Sequence, residues 1–263
     1  MTRTDYTSVT ELAGSRLNAE QMERFVHRYA VAAALTHGRT LEVACGPAIG
    51  LGALQAHGRK VLGLCYTPAV LHRAQAHYRG RLPLICADGQ QLPAAASSFD
   101  AVICLEAIYY FPDPAAFLAE VRRVLAPGGR LLVGSSNPDW PHFVPGSLSR
   151  HYPSAPELAR YLQTAGFAPV QLFGAVAVHQ TSPRHTAALR LRRRLLRSPL
   201  RPLIAPLAGR LKGAVYGQLV PLPAELRLHT LRHAIATLHL EPLPLDQPDR
   251  VHRVLYALGK TPA

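Results

Sequence analysis

The chain has 263 residues, of which 48% are hydrophobic, and a formal net charge of +13. This length suits one large α/β domain with appendages or two small domains, and the composition can supply a sizeable core. No apolar run approaches the ~20 residues of a membrane-spanning helix, and the polar start lacks the apolar stretch of a secretory signal, so we expect a cytoplasmic protein.

Hydrophobic periodicity predicts helices that alternate with strands up to Ser136. The first helix lies in AEQMERFVHRYAVAAALTHG, where His37 and Gly38 would end it. Apolar runs then predict strands at TLEVAC, KVLGLC, LPLICA, FDAVICLE and RLLVGSS, with helices at GLGALQAH, PAVLHRAQAHY and PAAFLAEVRRVLAPGG. Such an alternation is typical of parallel βαβ units, which bind ligands beyond the carboxyl ends of their strands.

Four cysteines fall in or just after the predicted strands: Cys45, Cys65, Cys86 and Cys104. They lie far apart, and none forms a CxxC pair. Buried thiols in a reducing compartment are the favoured interpretation. A metal cluster is the alternative, but zinc-ligand spacing is absent, so we expect no metal.

Four segments in order, between Leu41 and Ser136, resemble the core of the class I S-adenosylmethionine-dependent methyltransferases, of the type 11-like kind. LEVACGPAIG matches the first loop of that family, and VLGLCYTPAVLHRA matches its second strand and the following helix. CADGQQLPAAASSFDAVICLEAIYYFPD matches its third and fourth strands, and FLAEVRRVLAPGGRLLVGSS matches the helix and fifth strand. The resemblance implies S-adenosylmethionine as the cofactor and methyl transfer as the activity.

The resemblance also implies roles for individual residues at the ends of the strands. Glu42 would brace the first loop and help to position the amino group of the cofactor. Asp88 would accept a hydrogen bond from the adenine amino group, and the Gly89 N–H would face the ring. Leu105 and Glu106 would line the end where the methyl group is transferred.

The chain departs from the family pattern in the loop and at the second strand. The loop positions implied to contact the cofactor are Ala44, Cys45, Gly46 and Ala48. Gly46 is kept, but Ala44 and Ala48 replace two family glycines, and alanine is tolerated there only if φ stays negative. Cys65 stands where an acid normally binds both ribose hydroxyls, and a thiol accepts such bonds poorly. Neighbouring Tyr66 would stack on the cofactor or bond to it.

The N-terminal helix adds two candidate cofactor contacts. In related methyltransferases such a helix packs over the cofactor, so Arg28 would pair with the cofactor carboxylate and Tyr29 would face it. The competing interpretation places Tyr29 in the core and Arg28 on a solvated face. Tyr6 belongs to the same lid on weaker grounds.

A dinucleotide-binding dehydrogenase is the competing interpretation of the loop. That class requires G-x-G-x-x-G after the first strand and an acid after the second. The loop instead reads GPAIG, Cys65 is not an acid, and the pair Asp88-Gly89 would be unexplained. We therefore favour the methyltransferase.

The methyl acceptor is predicted to be a small or lipid-like molecule, methylated on oxygen or carbon. Such acceptors usually lose a proton, so a base is needed. The candidate catalytic residues are His142, His151 and Tyr109, with Tyr110 and Tyr152 also near the ends of strands four and five. The NPPY-type signature of amino-group methylation is absent, because strand four ends in CLEAIYYF.

A long basic stretch follows, since no Asp or Glu occurs from Leu158 to Ala224. An arginine-rich amphipathic helix is predicted within residues 187–212. It is either a solvated helix that caps the sheet or an interfacial helix that makes peripheral contact with an anionic membrane and presents a lipid substrate. Nucleic acid is not the expected partner, because the stretch lacks interleaved aromatic residues.

The complete prediction is a Rossmann-like, doubly wound α/β fold with a mostly parallel seven-stranded sheet and an antiparallel last strand. The predicted parts are an N-terminal helical lid (1–38), a methyltransferase core (39–178), a basic, Pro-rich helical insertion (179–250), and a final strand and tail (251–263). The alternative function is a degenerate methyltransferase fold that acts as a scaffold and attaches to a membrane or partner through its basic helix.

Overall fold

An eight-stranded mixed sheet is the centre of the fold. The computed structural model describes residues 4–177 and 218–262. The strands, numbered in chain order, are β1 (Arg16–Leu17), β2 (Arg39–Val43), β3 (Lys60–Cys65), β4 (Leu84–Cys86), β5 (Phe99–Leu105), β6 (Leu125–Ser136), β7 (Val170–Ala177), β8 (Val220–Pro221), β9 (Glu241–Leu243) and β10 (His252–Lys260). The order in the main sheet is β4-β3-β2-β5-β6-β10-β7-β9, and β1 pairs with β8 separately.

Six helices accompany the sheet in the described ranges, and their ends follow from local sequence signals. They are α1 (Ala19–Leu35), α2 (Leu51–Ala56), α3 (Pro68–Tyr78), α4 (Pro114–Val124), α5 (Ala155–Thr164) and α6 (Leu228–Ala236). Asn18 and Gln21 form a capping box at the start of α1, and Ser154 and Glu157 form another at α5. The Asp113 side chain caps α4.

Two hydrophobic clusters cover the two faces of the sheet, and the strands alternate between them. In β5, Ile103 and Leu105 join the cluster that includes α1 and α3, whereas Val102 and Cys104 join the cluster that includes α4 and α5. Because both faces are covered, β5 is continuously apolar from Ala101 to Leu105.

The predicted fold class is confirmed, with one strand more than expected. Strands β2 to β6 pair in parallel, and β10 runs antiparallel to both β6 and β7. The eighth strand is β9, which pairs antiparallel with β7 inside the predicted insertion. Its three residues include Pro242, and so short an edge segment has no periodicity by which the sequence could reveal it.

One of the four cysteines departs from the prediction of buried thiols. Cys45, Cys65 and Cys104 are buried, but Cys86 is exposed, and none of the four forms a disulfide. The reason is topological, since β4 is an edge strand of the sheet.

The chain after the undescribed residues returns to pack beside the N-terminal segment. The Leu222 N–H donates to the Ser15 carbonyl, and the Leu226 N–H donates to the Ile49 carbonyl, each over 2.8 Å. The arginine-rich helix predicted within 187–212 lies outside the described residues. None of the described helices is long and apolar enough to cross a membrane.

A buried amide joins the end of β6 to the start of β10. The Asn137 side-chain nitrogen donates to the carbonyls of Asp249 (2.7 Å) and His252 (2.8 Å), and its Oδ1 accepts from the Asp139 N–H (3.0 Å). These bonds hold the last strand in register beside the binding edge.

Asn137→Ala should therefore lower the free energy of unfolding by about 2–4 kcal/mol, because it leaves buried backbone groups without partners. Urea denaturation measures the change. Gln163→Ala, which removes an exposed side-chain amide on α5, is the control and should cost less than about 0.5 kcal/mol. A loss below about 1 kcal/mol for Asn137→Ala would show that the amide is not a structural link.

Candidate functional site

A cavity of about 400 Å³ lies at the carboxyl ends of the parallel strands. Its floor comes from the loop after β2 and from the ends of β3 and β5, and α1 forms one wall. Residues of the N-terminal segment cover it, among them Tyr6 and Glu11. This is the edge at which doubly wound sheets bind their ligands.

The fold brings twelve of the thirteen predicted cofactor residues to this cavity. Those that line it are Arg28, Tyr29, Glu42, Ala44, Cys45, Gly46, Cys65, Tyr66, Asp88, Gly89, Leu105 and Glu106. The exception is Ala48, which is 0% exposed. Its carbonyl accepts a hydrogen bond from the Tyr78 hydroxyl over 2.8 Å, so it supports the loop from behind.

The loop after β2 has a backbone that favours glycine at three positions. The φ angles are +60° at Ala44, +56° at Gly46 and +57° at Ala48. The condition that φ stays negative is therefore not met at either alanine. Both alanines adopt the left-handed backbone conformation, which costs an L-residue roughly 1–2 kcal/mol.

Glu42 is a carboxyl group with only 2% of its surface exposed. The Tyr29 hydroxyl donates to its Oε1 over 3.0 Å, whereas Oε2 is buried and has no hydrogen-bond partner. Burial raises the pKa of Glu42 to about 8, although the Tyr29 hydroxyl and the Arg28 charge act in the opposite direction. An unpartnered buried oxygen is costly, and a donor on a ligand would relieve it.

Arg28 lines the cavity and does not lie on a solvated face. Its guanidinium donates to Glu11 Oε2 over 2.6 Å and stacks 4.0 Å from the centre of the Phe25 ring. Its Nε is buried without a partner. A carboxylate in the covering segment thus pairs with the cation that we expected to pair with the cofactor.

The adenine and ribose positions of the resemblance lie along the β3 and β4 side of the cavity. Asp88 Oδ1 accepts from the Gln90 N–H over 2.9 Å, which shapes the turn there. A Cβ at Gly89 would lie 2.8 Å from Phe111 and from Val43, so only glycine fits this narrow gap. The Cys65 thiol is turned toward the Thr67 carbonyl at 3.6 Å.

Glu106 directly follows β5 and has a φ of +55°, which is unusual for a residue other than glycine. Its Oε2 accepts hydrogen bonds from the Ser136 hydroxyl over 2.7 Å and from the Tyr109 hydroxyl over 3.1 Å. The carboxylate is therefore fixed in the cavity wall by two donors.

Of the three candidate catalytic residues, only Tyr109 reaches the cavity. Burial and the Glu106 charge raise its pKa well above 10.0, so it is a neutral donor and not a base. His151 contacts Glu157 over 3.2 Å, and His142 packs edge-on against Trp140. Neither histidine lines the cavity, although Arg150 of the same loop does.

Several cavity residues have no signal in the sequence. They are Thr10, Glu11, Gln21, Arg24, Ser136, Arg150 and Tyr256. The Tyr256 hydroxyl also contacts His27 Nδ1 over 3.2 Å. These residues come from segments far apart in the chain, and the strand order and the path of the N-terminal segment bring them together.

Comparisons with known proteins show that the chain is similar to methyltransferases. Residues 41–133 match the family model described as methyltransferase domain. The chain is 38% identical over 115 residues to a phthiotriol/phenolphthiotriol dimycocerosates methyltransferase of Mycobacterium leprae, with 43% of each chain covered. It is 27% identical over 163 residues to a ubiquinone biosynthesis O-methyltransferase of Aromatoleum aromaticum, with 54% of this chain and 69% of that protein covered.

A solved structure extends the likeness to the fold. The S-adenosylmethionine-dependent methyltransferase of Archaeoglobus fulgidus matches with a TM-score of 0.57 at 11% identity, covering 92% of this chain and 93% of that one. The chain spans about half the length of the first curated relatives that it matches.

The loop strain can be measured by a pair of substitutions. Ala48→Gly and Ala53→Gly each remove one buried methyl group, but Ala53 lies in α2, where alanine is favoured over glycine. Ala48→Gly should be less destabilising by about 1–2 kcal/mol, because glycine adopts positive φ without strain. Urea denaturation gives both values, and equal losses would argue against strain at Ala48.

Glu42 should make stability depend on pH. Its pKa is about 8 in the folded state against an ordinary value of 4.5, so the folded state binds the proton more tightly. The stabilising effect is complete below about pH 4.5 and is lost as pH rises to about 8.

We expect the stability of wild type relative to Glu42→Gln to fall over this range, with a slope approaching ~1.4 kcal/mol per pH unit. Urea denaturation at pH 5.5, 6.5 and 7.5 tests it. Glu23→Gln, at an exposed position, controls for the loss of a carboxylate. If the stability difference between wild type and Glu42→Gln does not change with pH, Glu42 does not titrate in this range.

Proposed function

We propose that this chain transfers a methyl group from S-adenosylmethionine to a small or lipid-like acceptor, because residues 41–133 match the family model described as methyltransferase domain. The observation that carries the proposal is the cavity itself. It joins the loop after β2, the turn at Asp88-Gly89 and the end of β5 around one space.

The residues present fit the cofactor at three points. A bound cationic amino group would favour the ionised form of Glu42, whose unpartnered Oε2 is then an acceptor, directly or through one water. Arg28 is a cation at the cavity wall for the carboxylate. Gly89 lines the cavity without a side chain, so its backbone N–H is at the wall where the resemblance puts the adenine ring. When bound, the cofactor supplies an activated methyl group on a sulfonium centre.

The chain contributes alignment and a place for the proton. Methyl transfer is an in-line displacement, so the acceptor would have to approach the methyl group on the side away from the sulfur. Glu106, directly after β5, is a carboxylate in the cavity wall. We assign proton acceptance to Glu106 in place of His142 and His151, while the Tyr109 phenol holds it in position.

The proposed class of methyl acceptor is based on the aromatic lining of the cavity and on the similar methyltransferases. Tyr6, Tyr109 and Tyr110 line the cavity, and the ring centres of Tyr6 and Tyr110 are 5.1 Å apart. Tyr109 also stacks at 4.0 Å on Tyr152, which does not line the cavity. This aromatic wall suits a flat or lipid-like molecule. The names of the two relatives above, which refer to phthiotriol lipids and to ubiquinone biosynthesis, favour a hydroxyl-bearing acceptor of that kind.

A degenerate scaffold is disfavoured by the open cavity. A binding module could fill the space with side chains, but here the cavity runs from Cys45 to Arg150. Peripheral contact with an anionic membrane through 187–212 stays a prediction. Sedimentation with anionic vesicles at low and high salt tests it separately.

Cofactor binding by wild type and by a Cys65 variant tests the proposal. We expect calorimetric titration to show S-adenosylmethionine binding by the wild type. Cys65→Asp should bind about tenfold more tightly, because a carboxylate accepts both ribose hydroxyls. Cys86→Asp is the matched control, since Cys86 is the register partner of Cys65 on β4 and does not line the cavity.

Two results would contradict the proposal or part of it. Absence of binding in both wild type and Cys65→Asp would remove the cofactor assignment. Equal affinity in wild type and Cys65→Asp would mean that position 65 does not face the ribose.

A further inference from the structure

Glu106 is held in a backbone conformation that its residue type disfavours. Its φ is +55°, and its N–H still donates to the Gly134 carbonyl over 2.8 Å. A residue kept in such a conformation persists at sites that require the resulting side-chain direction. Here that direction puts the carboxylate in the cavity wall.

The two donors on Glu106 fix one oxygen and leave the other available. The hydroxyls of Ser136 and Tyr109 both donate to Oε2. Neither bond involves Oε1. The carboxylate therefore has a fixed orientation, and one of its oxygens can face a ligand.

The other carboxylates that line the cavity are already engaged or neutral. Glu42 has a pKa of about 8 and is mostly protonated at neutral pH. Glu11 forms an ion pair with Arg28. Asp88 accepts from the Gln90 backbone at the far end of the cavity. Glu106 is thus the carboxylate that places a negative charge at the end of β5.

We propose that Glu106 is a charge-selective residue, whose carboxylate favours the sulfonium of S-adenosylmethionine over the neutral thioether of S-adenosylhomocysteine. The proposal rests on the function proposed above. β5 pairs directly with β2, so Glu106 and the loop at Ala44 to Gly46 lie at the ends of neighbouring strands. A cation held between them is within reach of the carboxylate.

Methyl transfer removes this attraction. The carbon–sulfur bond breaks, its electron pair stays on sulfur, and the sulfur loses its positive charge. The acceptor gains the methyl group, and its proton passes to Glu106, the proton acceptor proposed above, and from there to water. The product therefore interacts less favourably with Glu106 than the cofactor did, which promotes exchange of one for the other.

The test is the ratio of two dissociation constants, measured by calorimetry on the full chain. S-adenosylmethionine and S-adenosylhomocysteine are titrated into wild type, Glu106→Gln, Glu106→Asp and Glu23→Gln. We expect Glu106→Gln to weaken S-adenosylmethionine about tenfold, as one charge pair at partial screening implies, and to leave S-adenosylhomocysteine unchanged.

The two other variants separate charge from structure. Glu106→Asp keeps the charge, and aspartate tolerates positive φ, so it should keep most of the preference. Glu23→Gln removes the same charge from an exposed position on α1 that does not line the cavity, and it should change neither constant.

Each remaining outcome contradicts either the charge selectivity of Glu106 or the proposed methyltransferase function. If wild type binds both ligands and Glu106→Gln weakens them equally or loses both, Glu106 is not charge-selective. An unchanged ratio in Glu106→Gln leads to the same conclusion. If wild type binds neither ligand, the proposed function itself fails.

Discussion

The burial of the Glu42 carboxyl at the end of β2 is the constraint on which the site depends. Burying an ionised carboxylate there would cost free energy, because it loses its contact with water. The Tyr29 hydroxyl on α1 donates a hydrogen bond to this carboxyl group. That contact requires α1 to cross the carboxyl edge of the sheet. The Tyr29 ring in turn packs so closely on Gly50 that a Cβ at this position would lie 2.3 Å from it. The wall of the cavity and the start of α2 are thus placed by the same pair of side chains.

The charges of the cavity are separated by environment. Burial keeps Glu42 protonated near neutral pH, Arg28 neutralises Glu11, and hydroxyl donors orient Glu106. Carboxyl groups of similar intrinsic acidity therefore acquire different roles. The strained φ angles at Ala44 and Glu106 have a common origin, since both residues lie where the backbone must turn sharply at the edge of the sheet.

Much of this could be predicted from the sequence, because strands and loops carry local signals. The apolar runs of β2 to β6 predicted the core, and the resemblance led to Glu42, Asp88 and Glu106. The sequence could not reveal that φ is positive at Ala44 and Ala48, since alanine normally adopts negative φ. It also misjudged His142 and His151, because residue type alone does not say which way a loop turns. Tyr256 and Glu11 reach the cavity only through strand order and the path of the N-terminal segment.

The most direct test of the central claim is a crystal structure of the chain with S-adenosylhomocysteine. We expect the amino group of the ligand at Glu42 Oε2, directly or through one water, and its adenine ring beside Gly89. Its carboxylate should contact Arg28, with Glu11 displaced. A ligand bound elsewhere, or bound here with its amino group away from Glu42, would contradict the claim that the unpartnered oxygen of Glu42 is the anchor of the site.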